Sequence, residues 1–468
     1  MDLNKIKTIH FVGIGGVAMS AVAAVVKQRG FTVTGSDAEN IYPPASIVLK
    51  QNRIEYFSGY DKKNVGDPDL VIISAGETPE KNPEVAEVLK KGINYASFAE
   101  LIYNLFINHQ RIIVSGTHGK TTTSSLIAYG LRAASKPINF IIGGYVQDFK
   151  TNFQLNNSDT VLFEGDEYYS SFSDKRPKFL HYHPDILILT NIDMDHFDYY
   201  KNINDLMDKF KKLIKTVPPE GIIIACHDNL NVKKLLKDVD RKIIWYGIKG
   251  NSLDWKAEKI IQKNGMSNYI VRKVGTAEKY DVNSSLAGDH NVLNVLASIA
   301  AMDYLKCDLS NPIKMLSEFK GPSRRFELKG VARGVTVIDD YAHHPTAVKV
   351  TLQAARSKYP NQKIWAVFEP HTFSRTKATV GELADAFVDA DAVIIPDIYP
   401  AREKEGDFKI NSRVLVDEIS KNHQNVSYIP GRENVLSHLV SNCKAGDVVL
   451  IMAVGDFNKI ALELIKKI

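Results

Sequence analysis

The sequence predicts an α/β protein of three domains. Short apolar runs alternate with helical patterns along the whole chain, and two of these runs end in glycine-rich turns. The length of 468 residues is enough for two to four domains with packed cores. We place the domains at residues 1–106, 107–322 and 323–468.

Composition excludes several classes of protein. Lys and Arg number 59 against 54 Asp and Glu, and no run of like charge is long enough for a nucleic-acid or membrane surface. The three cysteines, Cys226, Cys307 and Cys443, are too far apart for a disulfide framework or a zinc ribbon. No apolar run reaches membrane-spanning length, and the opening residues lack a signal-peptide pattern. We expect a cytoplasmic protein that binds neither nucleic acid nor membrane.

The first domain begins with an apolar strand at residues 8–12, a turn containing Gly13, Gly15 and Gly16, and a helix at 17–28. Further strands follow at 31–34, which ends at Gly35-Ser36-Asp37, and at 70–74. This alternation predicts a Rossmann-like parallel sheet. The glycine turn either binds a nucleotide or simply reverses the chain, because the full dinucleotide pattern is absent.

The second domain opens with a buried strand at 111–115, the loop Gly-Thr-His-Gly-Lys-Thr-Thr-Thr at 116–123, and a helix at 124–134. Glycines allow the loop N–H groups to surround phosphate oxygens, Lys120 can reach the terminal phosphates, and Thr121 can bind magnesium. Val114 stands where the standard spacing requires the first glycine. We predict a P-loop ATPase-like domain and a nucleoside triphosphate ligand; a plain glycine turn is the alternative.

Two further strands of this domain end in acidic residues. The first ends in Glu164, Asp166 and Glu167, and the second ends in Asp193, Asp195 and His196. Carboxyl ends of parallel strands form the ligand crevice, and carboxylates beside phosphates repel them without a cation. We predict Mg²⁺ held by Glu164 and His196, with helix capping or solvent exposure as the alternative.

The helix that begins near residue 288 carries Asn291 and Asn294, whose amides can bond an adenine edge or cap the helix. Strands and helices alternate again after residue 323, which predicts a second Rossmann-like domain. Its strand ends carry His343, His344 and Arg375. The histidine pair lacks a third ligand at zinc spacing, so we assign it to positioning or hydrogen bonding.

Six motifs together resemble the Mur ligase family, the ATP-dependent amide-forming ligases of peptidoglycan assembly. They are Gly-Thr-His-Gly-Lys-Thr-Thr-Thr at 116–123, Glu-Gly-Asp-Glu at 164–167, Thr-Asn-Ile-Asp-Met-Asp-His at 190–196, Gly-Asp-His-Asn-Val-Leu-Asn at 288–294, Arg-Arg-Phe-Glu at 324–327 and Asp-Asp-Tyr-Ala-His-His-Pro-Thr at 339–346. The resemblance covers essentially the whole chain, and the shortened phosphate loop is part of the family pattern.

The resemblance implies ATP and Mg²⁺ as cofactors, with Lys120, Glu164 and His196 as catalytic residues. It implies magnesium ligands at Thr121, Glu164 and His196, and ATP contacts at Gly116, Thr117, His118, Gly119, Lys120, Thr121, Thr122, Asn291, Asn294, Arg325 and Asp339. In this scheme Arg325 contacts phosphate and Asp339 the ribose. It implies UDP-sugar contacts at Gly13, Gly15, Gly16, Ser36, Asp37 and Asn191, and amino-acid contacts at Tyr341, His343 and Arg375, the last through the carboxylate.

Two activities within the family remain open for the acceptor of UDP-N-acetylmuramate: L-alanine, or the tripeptide L-alanyl-γ-D-glutamyl-meso-diaminopimelate. Residues 13–20, 368–376, 397–403 and 452–456 are similar to the alanine-adding type, whereas 36–44 and 166–182 resemble the tripeptide type. The C-terminal domain receives the acceptor in this family, so we expect L-alanine.

Two other classes of protein explain only part of this sequence. A dehydrogenase accounts for the opening glycine turn but not for the phosphate loop with its acids. A nucleotide-gated binding protein accounts for the loop but not for the histidines and arginine of the third domain.

Overall fold

The computed structural model describes residues 1–38, 40–263, 265–401, 403–404, 406 and 408–468, so Arg402 of the 397–403 stretch lies outside the described residues. The described strands form three sheets, each surrounded by helices. This confirms the predicted three-domain α/β class.

The first sheet has the strand order β3-β2-β1-β4-β5, and its neighbouring strands are parallel. Its elements are β1 (Thr8–Val12), α1 (Val17–Gln28), β2 (Thr32–Asp37), α2 (Ala45–Gln51), β3 (Glu55–Ser58), β4 (Leu70–Ile73), α3 (Pro83–Lys91), β5 (Tyr95–Ser97) and α4 (Phe98–Leu105). The chain order reverses at β1, so the glycine turn after β1 lies at the position where such sheets bind ligands.

The glycine turn is fastened to the end of β2. The N–H groups of Gly13 and Ile14 donate to the Ser36 carbonyl at 2.9 and 3.0 Å, and the Gly15 N–H donates to the Asp37 carboxylate at 2.7 Å. Gly13 has a φ of +81°, which disfavours a side chain. The predicted Gly13, Gly15, Ser36 and Asp37 therefore lie together.

A buried network of polar side chains lies next to the glycine turn. His10 and Glu84 are both fully buried, with Nε2 and Oε2 3.4 Å apart, and the Ser36 hydroxyl donates to the same carboxylate. The Asn64 amide donates to the other carboxylate oxygen at 2.7 Å. Burial raises the pKa of Glu84, but hydrogen bonds from His10, Ser36 and Asn64 outweigh it, so the pKa lies below its ordinary value.

We expect Glu84→Ala to lower the free energy of unfolding by about 3 kcal/mol, because it leaves buried donors without their acceptor. A urea titration measures this, with Glu87→Ala on the same helix as the control. Because the folded-state pKa is depressed, the stability contributed by Glu84 is present at neutral pH and is lost as pH falls through that pKa. The difference between variant and wild type should therefore shrink in acid, and equal stability at pH 7 would contradict the role.

The second sheet has the order β15-β14-β13-β12-β11-β10-β6-β9-β7-β8 among the described strands. Its elements are β6 (Gln110–Ser115), α5 (Lys120–Ala133), β7 (Asn139–Val146), β8 (Thr151–Gln154), β9 (Thr160–Gly165), β10 (Ile186–Leu189), α6 (Ile203–Thr216), β11 (Ile222–Cys226), α7 (Leu230–Leu236), β12 (Lys242–Gly247), β13 (Trp255–Lys263), β14 (Met266–Lys273), β15 (Lys279–Ser284), α8 (Asp289–Tyr304) and α9 (Ser310–Lys314). Strand β6 lies between β10 and β9, so the acids after these strands flank the phosphate loop.

The third sheet has the order β16-β17-β21-β18-β19-β20, in which only the β16–β17 pair is antiparallel among the described strands. Its elements are β16 (Glu327–Ala332), β17 (Val335–Asp340), α10 (Pro345–Lys358), β18 (Ile364–Phe368), α11 (Phe373–Ala384), β19 (Ala392–Ile395), α12 (Ser412–Ile419), β20 (Val426–Tyr428), α13 (Arg432–Asn442), β21 (Val448–Met452) and α14 (Ile460–Lys467). Helix α11 begins at Phe373, where the Thr372 hydroxyl accepts the Arg375 N–H and caps the helix.

Within the described residues, no helix combines the length and the apolar character needed to cross a bilayer. Cys226, Cys307 and Cys443 are free thiols.

Candidate active site

A cavity of about 760 Å³ lies between the second and third domains, a size suited to a nucleotide. The phosphate loop and the start of α8 line it from the central domain, and β17, α10 and α11 line it from the C-terminal domain. The residues that carry its chemistry include Lys120, Asn294, Asp340, His343 and Arg375.

The phosphate loop is held open by its two glycines. Gly116 and Gly119 have φ values of +133° and +83°, and a Cβ on Gly119 would stand 2.5 Å from the Asn294 amide oxygen. Gly119 is the N-cap of α5, so this helix begins at Lys120, four residues before the predicted start. The loop N–H groups and the N-terminus of α5 thus form an anion-binding concavity.

Asn191 braces this loop. The His118 N–H donates to its side-chain oxygen at 2.8 Å, and its amide donates to the His118 carbonyl at 3.0 Å. The family resemblance assigned Asn191 to the UDP-sugar, but the side chain lies in the central domain against the phosphate loop. Asn191 therefore shapes the loop, and its contact with the UDP-sugar stays a prediction.

Lys120 is folded over its own loop. Its ammonium donates to the carbonyls of Gly116 and Thr117 at 2.6 and 3.2 Å, and to Glu167 Oε2 at 2.8 Å. Burial lowers the pKa of Lys120, but the charges of Glu167, Asp166 and Glu164 outweigh it, so the net shift is upward. The ammonium therefore stays charged across the neutral range.

Glu164 forms a second contact on the same loop. One oxygen accepts the Thr121 hydroxyl at 3.0 Å, and the other accepts the Gly143 N–H at 2.6 Å. Burial raises the pKa of Glu164. This side chain faces a neighbouring cavity of about 410 Å³, which shares Lys120 and Thr121 with the first cavity and is also lined by the N-terminal domain.

The candidate metal ligands form two adjacent groups. Asp166, Glu167 and His196 offer one ligand atom each within 4.8 Å of one another, and His196 Nε2 lies 3.8 Å from Glu167 Oε1. The predicted ligands Thr121, Glu164 and His196 fall into both groups. Thr121 donates a hydrogen bond to Glu164, whereas His196 lies beside Glu167. Carboxylate and hydroxyl oxygens suit Mg²⁺, so these side chains fit the ion. Asp166 and Glu167 were not among the predicted ligands.

The two asparagines predicted to contact adenine line the first cavity and also form hydrogen bonds within its wall. The Asn291 amide donates to the Ala287 carbonyl at 2.7 Å, and Asn294 donates to Asn291 at 3.1 Å while accepting the Thr123 hydroxyl at 3.1 Å. Neither caps α8, whose N-cap is Gly288. Asn294 thereby connects α8 to the phosphate-loop helix.

The two neighbouring aspartates at the end of β17 point to opposite sides. Asp339 is fully buried against Arg324 and Asn458, and burial raises its pKa to about 6. Asp340 instead lines the cavity and accepts the N–H groups of Phe326 and Ala342 at 2.6 and 2.7 Å. Successive strand residues alternate in direction, so the cavity is lined by Asp340 and not by Asp339, the residue predicted to contact the ribose.

Arg325, Tyr341 and His343 form the C-terminal side of the cavity. The Arg325 side chain is exposed, with its guanidinium 5.3 Å from the centre of the Tyr341 ring. His343 Nδ1 bonds the Tyr341 carbonyl at 2.8 Å and therefore carries a proton, which leaves Nε2 as the acceptor in the neutral ring. Burial and then the charge of Arg375 lower the pKa of His343 well below its ordinary value.

Arg375 is buried and already partnered. Its guanidinium donates to Asp195 Oδ1 from Nε at 3.0 Å and from Nη2 at 2.7 Å, and Nη1 lies 2.6 Å from His371 Nδ1. Arg375 was predicted to bind the carboxylate of the amino acid, and its contact with a protein carboxylate was not predicted. The only indication of this contact in the sequence was that Asp195 belongs to the motif at 190–196.

Three α/β domains arranged around one phosphate-binding loop, with acids and a lysine at its mouth, define a nucleotide-dependent α/β enzyme. Family patterns described as "Mur ligase family, catalytic domain", "Mur ligase middle domain" and "Mur ligase, glutamate ligase domain" match residues 8–110, 114–302 and 324–455. The chain belongs to the Mur ligase family of ATP-dependent ligases, which confirms the resemblance.

Individual relatives cover nearly the full length. The UDP-N-acetylmuramate–L-alanine ligase of Acetivibrio thermocellus is 38% identical over 100% of this chain and 97% of that protein, and its counterpart from Clostridium acetobutylicum is 37% identical over 98% of each. Among solved structures, the UDP-N-acetylmuramate–alanine ligase of Thermotoga maritima has a TM-score of 0.82 at 25% identity. A murein peptide ligase from Psychrobacter arcticus has a TM-score of 0.76 at 30% identity, and each structure covers 98% of both chains.

Proposed function

We propose that this protein joins the carboxylate of UDP-N-acetylmuramate to the amine of L-alanine with consumption of ATP, in the cytoplasm, as a step of peptidoglycan synthesis. The observation that carries the proposal is one cavity in which a charged lysine on a phosphate loop faces a histidine and an arginine of another domain. The full-length relatives of the same activity support it.

We assign one substrate to each domain. Residues 1–106 would hold the UDP-sugar at the turn of Gly13, Gly15 and Gly16, beside Ser36 and Asp37. Residues 107–322 would hold ATP, and residues 323–468 the amino acid at Tyr341, His343 and Arg375. The 410 Å³ cavity supports this arrangement, because Val17 and Phe98 of the first domain line it together with Lys120 and Glu164 of the second.

A carboxylate couples to an amine only after its oxygen becomes a good leaving group. The sugar carboxylate would attack the γ-phosphate of ATP and release ADP; the neutral amine would then attack the acyl phosphate and release phosphate. Lys120 would neutralise the transferring phosphoryl group, Arg325 would contact phosphate, and His343 Nε2 could accept a hydrogen bond from the amine. Positioning and charge neutralisation are the main contributions of the protein.

Mg²⁺ would be held by Thr121 and Glu164 at the phosphate loop, and by His196 with Asp166 and Glu167. When bound, it would neutralise phosphate charge and so favour attack on phosphorus.

The tripeptide remains a second candidate acceptor. Residues 166–182 resemble the tripeptide type, and the 30% identity to a murein peptide ligase supports the same alternative. Incubating the protein with ATP, UDP-N-acetylmuramate and either L-alanine or the tripeptide, with the product identified by mass, decides between them. Phosphate release that needs neither acceptor would contradict the ligase proposal.

Glu164→Gln should reduce kcat by roughly tenfold to a hundredfold, with partial recovery at raised Mg²⁺. Glutamine keeps an oxygen for the Thr121 hydroxyl but removes the charge that attracts the ion. The measurement is the Mg²⁺ dependence of phosphate release, with Glu433→Gln on the exposed start of α13 as control. A Mg²⁺ dependence equal to that of wild type would make Glu164 a structural acid.

A further inference from the structure

Four consecutive residues after β10 each contact a different part of the site. The N–H and carbonyl of Asp193 bond the Thr117 hydroxyl of the phosphate loop, both at 2.9 Å. The Met194 carbonyl accepts His344 Nε2 of the C-terminal domain at 3.0 Å. Asp195 pairs with Arg375, and His196 approaches Glu167. The segment 193–196 thus connects the phosphate loop to the C-terminal domain.

The Asp195–Arg375 pair crosses between domains and is nearly dry, with 6% and 7% of the two residues exposed. Its carboxylate is itself fixed, because the His196 N–H donates to Asp195 Oδ1 at 2.7 Å. A buried ion pair of this kind is costly unless its geometry is well defined, and its main effect is to fix the orientation of its members.

Two N–H groups of Arg375 have no acceptor among the described residues. A guanidinium has five N–H groups, and the contacts with Asp195 and His371 use one on Nε, one on Nη2 and one on Nη1. One N–H on each terminal nitrogen remains, and Arg375 lines the cavity. A carboxylate of the substrate can accept hydrogen bonds from both terminal nitrogens of a guanidinium.

We propose that Asp195 is a positioning residue that orients Arg375 toward the carboxylate of the acceptor amino acid. This inference rests on the proposed function, since it takes a free amino acid as the acceptor. Asp195 acts through Arg375 and not on the substrate. Through the 193–196 segment, the same contact ties the acceptor site to the phosphate loop.

Asp195→Ala should raise the KM for L-alanine by roughly tenfold to a hundredfold, the range usual for loss of an orienting partner, while the KM for ATP changes by less than about threefold. Asp195→Asn keeps the oxygen that accepts Arg375 and the His196 N–H, so its KM should lie between those of Ala and wild type. Formate, a small carboxylate, should partly restore the KM in Asp195→Ala but not lower it in wild type. The control is Asp303→Ala. Asp303 accepts a hydrogen bond of 3.0 Å from Lys273, and it does not line the cavity.

The outcomes separate this inference from the proposed function. A wild-type protein that makes no L-alanine product overturns the proposed function and this inference with it. An active wild type with an unchanged L-alanine KM in Asp195→Ala overturns only the positioning role, and so does an equal rise in the KM values for ATP and L-alanine. The positioning role is supported if the KM for L-alanine alone rises in Asp195→Ala, rises less in Asp195→Asn and falls again in Asp195→Ala when formate is added.

Discussion

Replacement of Lys120 by alanine should reduce kcat by about a hundredfold or more, the loss expected when one preorganised charge is removed from a transferring phosphoryl group. The ammonium lies at the start of α5, within 2.8 Å of Glu167 and above the concavity of the loop. Lys320 and Lys358 also line the first cavity, but neither belongs to the phosphate loop. The measurement is phosphate release at saturating ATP, UDP-N-acetylmuramate and L-alanine.

Stability provides a second readout for the same variant. A lysine on a loop is usually solvated and contributes little to stability, but the Lys120 side chain is 16% exposed and bonds Glu167, whose side chain is 1% exposed. Lys120→Ala leaves that carboxylate buried without its cation, so we expect a loss of about 2 kcal/mol in unfolding free energy. Lys136→Ala is the matched control, because Lys136 also donates to two backbone carbonyls, at 2.9 and 3.2 Å, away from the site. Near-normal turnover in Lys120→Ala would contradict the assignment.

Sequence patterns located the phosphate loop well because its chemistry is local. A buried strand, two glycines and a helix start within about a dozen residues predict the backbone conformation and the position of Lys120 together. The observed strand β6 and helix α5 agree with this prediction, and only the helix start moved, to the residue that follows Gly119. Strand β1 was also placed at its observed bounds, 8–12.

Long-range pairing was less predictable. Neighbouring residues of a strand point to opposite faces of the sheet, so only one of Asp339 and Asp340 can face the cavity. Two adjacent acids in a sequence do not indicate which one it is. Which acid meets His196 depends on how β9 and β10 flank β6, and the answer is Glu167 rather than Glu164. No bounds were predicted for β13–β15, because their alternation of polar and apolar residues is weak beside the stronger buried runs.

Arg375→Lys should raise the KM for L-alanine by about a hundredfold and the KM for ATP by less than about threefold. The Arg375 guanidinium serves Asp195 and His371 and keeps two N–H groups for a substrate carboxylate. A lysine ammonium has three donors and no planar fork, so it cannot maintain both protein contacts and a two-pronged bond to the amino acid. Steady-state kinetics with each substrate varied in turn measures the two KM values. The control is Arg356→Lys, because Arg356 forms a surface ion pair with Asp391 in the C-terminal domain.

The same variant distinguishes the two acceptors. L-Alanine carries its carboxylate beside the attacking amine, whereas the tripeptide carries an amide at that position and has no charge there for Arg375 to bind. If Arg375 recognises the carboxylate, Arg375→Lys should weaken use of L-alanine and leave any tripeptide use nearly unchanged, so the ratio of products in a competition should move toward the tripeptide. An equal loss of both products would mean that Arg375 acts through the Asp195 contact and domain packing alone. Tripeptide as the main product of the wild type would overturn the choice of L-alanine, because a site selected for that acceptor has no need of a carboxylate receptor beside the amine.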